Sequence, residues 1–391
     1  MNLHDLITNE ERRQHEFPVC AERIFMGHAG VTALPRVAAD ALRAFADGGS
    51  KDYQEAPWAM AKIREARGAA AELLGCTREE IALLGPTAMG LNLVATGLPW
   101  EPGDEVVFYQ DDYPANVYPW AMLEPRGVKP VRVQPPHPGA ITWEVVEAAL
   151  SDRTRLVSLA TCNYLSGYRI DVDRIGRELN ARGILFCLDA IQTLGAFPIS
   201  VEHVDFLSAD SHKWMLGCCG AGIFYVKRER MELLQPPLVG ALNVRGWERF
   251  VAQEEPEFLQ TGRRYEFGTM NAPGILGMGA ALRLLLDLGI DNVAERLLHI
   301  RRVLLEGLRA QGYRLYIEEC DRDSDTTDLN RTSIVSVTHP DRDMPELTKR
   351  LADANVTVSL RQNRAEEWFV RFSPHFYNTE AEIEQVLAVT D

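Results

Sequence analysis

The chain lacks the glycine fingerprints that nucleotides require. Neither G-x-G-x-x-G nor G-x-x-x-x-G-K-[ST] occurs in its 391 residues, which excludes a dinucleotide or nucleoside triphosphate as principal ligand. Its seven cysteines (Cys20, Cys76, Cys162, Cys187, Cys218, Cys219, Cys320) form no C-x-x-C pair and no metal-ligating spacing, so no metal site is expected. Scattered thiols in apolar surroundings suit a reducing compartment. Basic residues are short: 41 Lys and Arg against 56 Asp and Glu leave a net charge of −15, which argues against nucleic acid or an anionic membrane as main partner. No apolar run approaches the ~20 residues of a membrane-spanning helix. The polar opening MNLHDLITNEERRQHEF resembles neither a signal nor a transit peptide, and a cytoplasmic protein is expected. The remainder, 46% apolar and 25% charged, is ordinary for a globular chain with room for two domains.

What is present centres on residues 204–226, VDFLSADSHKWMLGCCGAGIFYV. Two apolar runs predict buried strands, and the polar segment between them carries Ser211, His212 and Lys213. Desolvating an ammonium is costly, so a lysine held there loses its proton more readily and becomes a nucleophilic amine. Upstream, residues 184–195 read ILFCLDAIQTLG: a short apolar strand ends at Asp189, with Gln192 three residues on. Asp189 either caps the next segment or stands at the mouth of a parallel sheet, where α/β folds place ligand chemistry.

Asp189, Gln192 and the following Ser-His-Lys resemble the class V aminotransferase family, the pyridoxal-phosphate (PLP) enzymes that include cysteine desulfurases, selenocysteine lyases and isopenicillin N epimerases. The resemblance implies a fold-type-I α/β architecture: a doubly wound, mainly parallel sheet over residues 22–285, and a smaller α+β domain from 1–21 and 286–391. It implies that Lys213 carries PLP as a Schiff base, that Asp189 pairs with the pyridine nitrogen, and that Gln192 bonds the phenolic oxygen.

Other stretches take their roles from the same resemblance. Residues 81–95 predict a strand, a turn and a helix whose first N–H groups, at Thr87 and Ala88, face the PLP phosphate. Ser211 and His212 assist there, because Asp210 stands where relatives often have serine and its charge would repel a phosphate if it pointed inward. Tyr113 stacks on the cofactor ring, with Tyr118 and Trp120 as alternatives. Asn163 ends the strand 154–160 near the phenolic oxygen or substrate. His28 follows the strand at 24–27, facing either the site or the core. Gly268 and Thr269, in the glutamate-x-glycine-threonine segment of 263–274, reach a partner's phosphate, so a homodimer is implied. Arg371, with Arg361 second, clamps the α-carboxylate of an amino-acid substrate.

Two departures bear on the reaction. Cys218 and Cys219 replace a Pro-Pro pair after the lysine; packing residues are expected there. Residues 362–370, QNRAEEWFV, are short and hold no cysteine, where a desulfurase keeps a mobile persulfide-forming thiol. The expected reaction is therefore elimination from a β-substituted amino acid, with epimerisation or transamination as alternatives. A non-catalytic regulator is the remote one. Substrate choice rests with loops around His28, Tyr53 and 243–265.

Overall fold

The computed structural model describes residues 2–323 and 326–391. Short apolar runs become a seven-stranded sheet: β1 (Ile81–Leu84), β2 (Glu105–Tyr109), β3 (Lys129–Val133), β4 (Thr154–Ala160), β5 (Leu185–Asp189), β6 (Phe206–Asp210) and β7 (Gly222–Val226), in the order β1-β7-β6-β5-β4-β2-β3. Neighbours are parallel from β3 through β6, while β7 is antiparallel to both β6 and β1. The central strands are buried along their whole length, as expected where helices cover both faces. Pro130 and Lys129 lie on the edge strand β3, where a missing N–H and a charge cost little and discourage further pairing.

One face of this sheet packs on helices Arg36–Gly49 (α1), Pro57–Leu74 (α2) and Ala272–Leu288 (α4). The other packs on Thr87–Gly97 (α3). Gly90 lets α3 lie directly on β6: a Cβ there would come within 2.4 Å of Ser208 Oγ and 2.8 Å of the Phe224 ring. A second sheet of four strands follows, β8 (Arg314–Leu315), β9 (Val335–Thr338), β10 (Ser359–Gln362) and β11 (Trp368–Phe372), ordered β10-β11-β9-β8 and antiparallel throughout.

The capping sequence Thr8-Asn9-Glu10-Glu11 suits a helix start within the first 20 residues, and a further helix precedes it. The amino terminus forms two short helices, Leu3–Thr8 and Glu10–Glu16, because the Asn9 side chain accepts from Arg12 N and starts a new helix. Phe17 then stacks on Tyr377 with ring centroids 4.2 Å apart, and Ile24–Phe25 pairs with Val356–Thr357 in a separate two-stranded ladder just before β10, tying this end to the carboxyl-terminal region.

Glu266 is the main buried ionic anchor of the 263–274 segment. Its carboxylate takes both Arg67 Nη atoms, at 2.5 and 3.1 Å, and the Leu83 N–H at 2.7 Å. Removing one partner of a buried pair strands the other charge. Glu266→Ala is therefore expected to lower stability by about 3–5 kcal/mol in denaturant unfolding, and Glu266→Gln, which keeps an acceptor for Leu83, by less.

Candidate active site

The carboxyl ends of the parallel strands, together with one wall from the second sheet, enclose a cavity of about 420 Å³. Thr87 and Ala88 open α3 just after β1. Tyr113 follows β2, Tyr164 follows β4, Asp189 ends β5 with Gln192 beyond it, and His212 and Lys213 follow β6. Arg361 on β10 and Arg371 on β11 face them. The reversal of β7 returns the chain at once to the sheet, so Lys213 sits in a tight connection at the carboxyl edge. Leu216 there holds a positive φ of 57°, a strained conformation for a side-chain-bearing residue, and Gly217 N bonds Ser211 O at 2.8 Å.

Burial sets the electrostatics. It lowers the Lys213 ammonium to about 8; Asp189 opposes this, and Arg371 and Arg361 reinforce it. Burial also pushes the Asp189 carboxyl up to about 6, against the Ile191 N–H at 3.0 Å and the Lys213 charge. Lys213 Nζ lies 5.4 Å from the centre of the Tyr113 ring. Arg371 is 1% exposed, and burial lowers it to about 9, helped by the like charge of Arg361. One Arg371 nitrogen, Nη1, bonds Tyr164 O at 2.7 Å, while Nε and Nη2 are buried with no partner. A guanidinium left so exposed to desolvation cost is a standing demand for an anion. Gln192 is held by Trp214 Nε1 at 2.9 Å and by its own bond to Ala29 O at 3.2 Å, which leaves one amide hydrogen to spend. Thr87 Oγ1 accepts from Asp210 N at 2.9 Å and keeps its own hydrogen for a ligand.

Several residues expected at the site are turned elsewhere. Ser211 Oγ donates to Cys218 O at 3.0 Å and braces the lysine turn, away from the cavity lining. Asp210 also turns away: Oδ2 accepts from Gly220 N at 3.0 Å, and Oδ1 lies 3.1 Å from His212 Nδ1, so its charge is not presented to the cavity. Asn163 spends its oxygen on Leu165 N and Ser166 N and its amide on Asp111 O, building the turn after β4. His28 is fully buried, with Nδ1 2.8 Å from Thr32 Oγ1 and Nε2 2.8 Å from the Tyr377 hydroxyl; burial and neighbouring His375 lower its pKa strongly. Of the stacking alternatives, Trp120 is buried on Asn116 and Tyr118 is exposed outside this cavity. Gly268 has open space around it and Thr269 is exposed; neither lines the cavity of its own chain. Cys218 and Cys219 also lie outside it.

The motifs did not single out Tyr164, which lines the cavity, or Asp112, a buried neighbour of the cavity. Tyr164 lines the cavity and carries the carbonyl that holds Arg371. Asp112 is buried behind Tyr113, accepting its N–H at 2.7 Å and Asn116 Nδ2 at 3.1 Å; burial and nearby Asp189 push its carboxyl up to about 7. Each is adjacent in sequence to a candidate, which is the signal that finds them.

Comparison with known proteins agrees with this fold. The family model described as aminotransferase class V matches residues 24–386. A probable cysteine desulfurase of Methanothermobacter thermautotrophicus is 28% identical over 297 residues, 74% of this chain and 72% of that protein. An apo cysteine desulfurase structure from Thermococcus onnurineus superposes with a TM-score of 0.86 at 23% identity, covering 97% of this chain and 96% of that one. A cystine C–S lyase in complex with its product cysteine persulfide superposes at 0.83, with 21% identity over 96% of this chain and 99% of that one. The fold is fold type I.

The family's cofactor is pyridoxal phosphate, and the residues present fit it. A desolvated lysine and a buried carboxylate share one cavity, a helix N-terminus opens into it, and Arg371 offers two unpartnered nitrogens beside them. If Lys213 is the group that takes up the cofactor, it would react as a free amine, and apoprotein should capture PLP faster as pH rises. The rate is expected to climb about tenfold per unit up to roughly pH 8 and level off above it, as the lysine's lowered value dictates. Stopped-flow absorbance checks this; a plateau reached only near pH 10.5, the ordinary lysine value, would contradict it.

Proposed function

The chain belongs to the class V aminotransferase family, and from that membership we propose that it is a lyase that removes a β-substituent from an amino acid, with C–S cleavage as the leading case. Pyridoxal phosphate supplies an electron sink for the pair left at Cα when a bond there breaks. Asp189 holds a proton at the pyridine nitrogen. Tyr113 covers the ring, and Arg371 takes the carboxylate on Nε and Nη2, which fixes the bond that faces the base. Lys213 removes the Cα proton as a free amine and returns it to the departing group or product.

The observation that carries this reading is the turn between β10 and β11. Asn363 N bonds Glu367 O at 3.1 Å, Glu366 N bonds Asn363 O at 3.0 Å, and the turn contains no cysteine. Sulfur therefore has no thiol there to receive it, which favours release over persulfide transfer. The names of the relatives, cysteine desulfurase and cystine C–S lyase, support chemistry at a C–S bond. The test is product analysis by mass spectrometry in heavy water with a panel of β-substituted amino acids. A keto acid plus the released β-group is the expected result. A deuterated but otherwise unchanged amino acid would replace the reading with an epimerase, and an aminated cofactor would replace it with a transaminase.

The active unit in this reading is a homodimer. Glu266 pins the segment, while Gly268 and Thr269 stay at the surface, free to reach a second copy's phosphate. Sedimentation of the holoenzyme as a monomer would contradict it.

A further inference from the structure

Beside the cofactor cavity lies a second chamber of about 500 Å³. It is lined by Tyr109, Tyr118, Tyr164 and Tyr316, by Asp111 and Asp112, and by the turn residues Asn363 and Arg364. Tyr164 belongs to both spaces. It meets Tyr113 edge to face, with centroids 5.6 Å apart and planes at 76°, so this tyrosine pair forms the partition.

The partition is placed by the carboxylate clamp itself. Arg371 Nη1 is bonded to Tyr164 O at 2.7 Å, so an amino acid whose carboxylate occupies the remaining Arg371 nitrogens lies beside Tyr164. The cofactor cavity, at about 420 Å³, is near the low end of the ~300–1,000 Å³ usual for ligand pockets. It must hold the cofactor and the amino-acid backbone, which leaves little room for a long side chain. The outer wall of the second chamber is an exposed hairpin turn cross-linked by its own side chains. Arg364 pairs with Asp111 and bonds Gln110 O at 3.1 Å, Gln362 Nε2 bonds Glu366 O at 2.8 Å, and Asn363 Nδ2 bonds Glu367 Oε2 at 2.7 Å. Those amides are spent inside the hairpin, Asp111 is paired with Arg364, Asp112 is taken up by Tyr113 N and Asn116 Nδ2, and the Tyr109 hydroxyl accepts from Gly139 N at 3.2 Å. The tyrosines are the aromatic part of a lining that also holds Pro114, Val117, Pro138 and Leu165, and such a lining favours a planar group with some hydrogen-bonding capacity.

We propose that the second chamber is the side-chain subsite of this enzyme, entered past Tyr164, and that it selects amino acids whose side chain ends in a planar, hydrogen-bonding group such as a phenol. The proposal rests on the amino-acid reading above and adds the substrate class to it. The turn that lacks a thiol thereby gains a use, as the wall that receives the group beyond the β-carbon.

Titrating the cofactor absorption of holoenzyme with L-alanine and with L-tyrosine tests the proposal without requiring turnover. The expected result is a Kd at least tenfold lower for L-tyrosine. Ala365→Trp fills the chamber from an exposed turn position that does not line the cofactor cavity; it should reduce that advantage to less than threefold while moving the L-alanine Kd by less than twofold. Tyr316→Ala, which removes one wall, should reduce it as well. Equal affinities in the wild type, or an advantage intact in both variants, overturn the subsite and leave the amino-acid reading standing. No response to either ligand, with cofactor bound, overturns the amino-acid reading and the subsite with it.

Discussion

Lys213→Ala is expected to reduce turnover by at least ~10³-fold while the apoprotein unfolds at the same or higher denaturant concentration. Both halves follow from burial. Lys213 is 7% exposed and its ammonium faces an aromatic ring, so the fold pays desolvation for it and gains little in return. Removing it relieves that cost, whereas the reaction loses both its covalent anchor and the base at Cα. Asp189 enters the sign of the stability effect. Its folded pKa is raised to about 6 from 3.8, so it binds more protons folded than unfolded across that interval, and its contribution to stability falls as pH rises from about 4 to 6. Lys213 acts in the higher window: the unfolded chain binds more protons between about 8 and 10.5, so stability from this group recovers as pH rises there. The alanine variant should lose the upper feature of the stability–pH curve and keep the lower. Turnover within tenfold of wild type would remove Lys213 from the mechanism.

Arg371→Leu is expected to lower kcat/KM by ~10²–10³-fold, the loss of two hydrogen bonds to a charged carboxylate at ~1.5–3 kcal/mol each with partial compensation. It should not destabilise the fold and is expected to stabilise it. The guanidinium is buried with two unpartnered nitrogens beside the like charge of Arg361, and it forfeits only the Tyr164 carbonyl bond when removed. A gain in stability joined to a loss of function is the pattern of a site held at the expense of the fold. Arg361, which is less buried and bonds Leu360 O at 2.8 Å, should give a smaller loss when replaced by leucine. A destabilised Arg371→Leu with unchanged kcat/KM would make Arg371 a structural residue and remove the carboxylate clamp.

The cavity residues legible in the first sheet share one property, which Arg361 and Arg371, lying within β10 and β11, do not: they stand where an apolar strand stops. Asp189, Thr87, Tyr113 and Lys213 each follow such a run, and a parallel sheet converts those separate endings into one mouth. The residues that turned away are those whose chemistry also suits backbone. Asn163 and Ser211 are turn-builders by type, and their side chains satisfy N–H and C=O groups of the turns they occupy. The direction of a side chain within an irregular turn has no period in the sequence, so Asn163 and Tyr164 could not be told apart there. His28 is a long-range case. Its partners are Thr32 and Tyr377, the latter 349 positions away, and no local pattern reports such a contact.

The central claim is that Lys213 is the covalent seat of pyridoxal phosphate in an amino-acid enzyme. Its most direct test is borohydride reduction of the holoenzyme, proteolysis and peptide mass spectrometry, with and without prior incubation with substrate. The account predicts a pyridoxyl adduct on the peptide containing Lys213, displaced onto the amino acid when substrate is present. An adduct on another lysine, or none on a protein saturated with the cofactor, would contradict it.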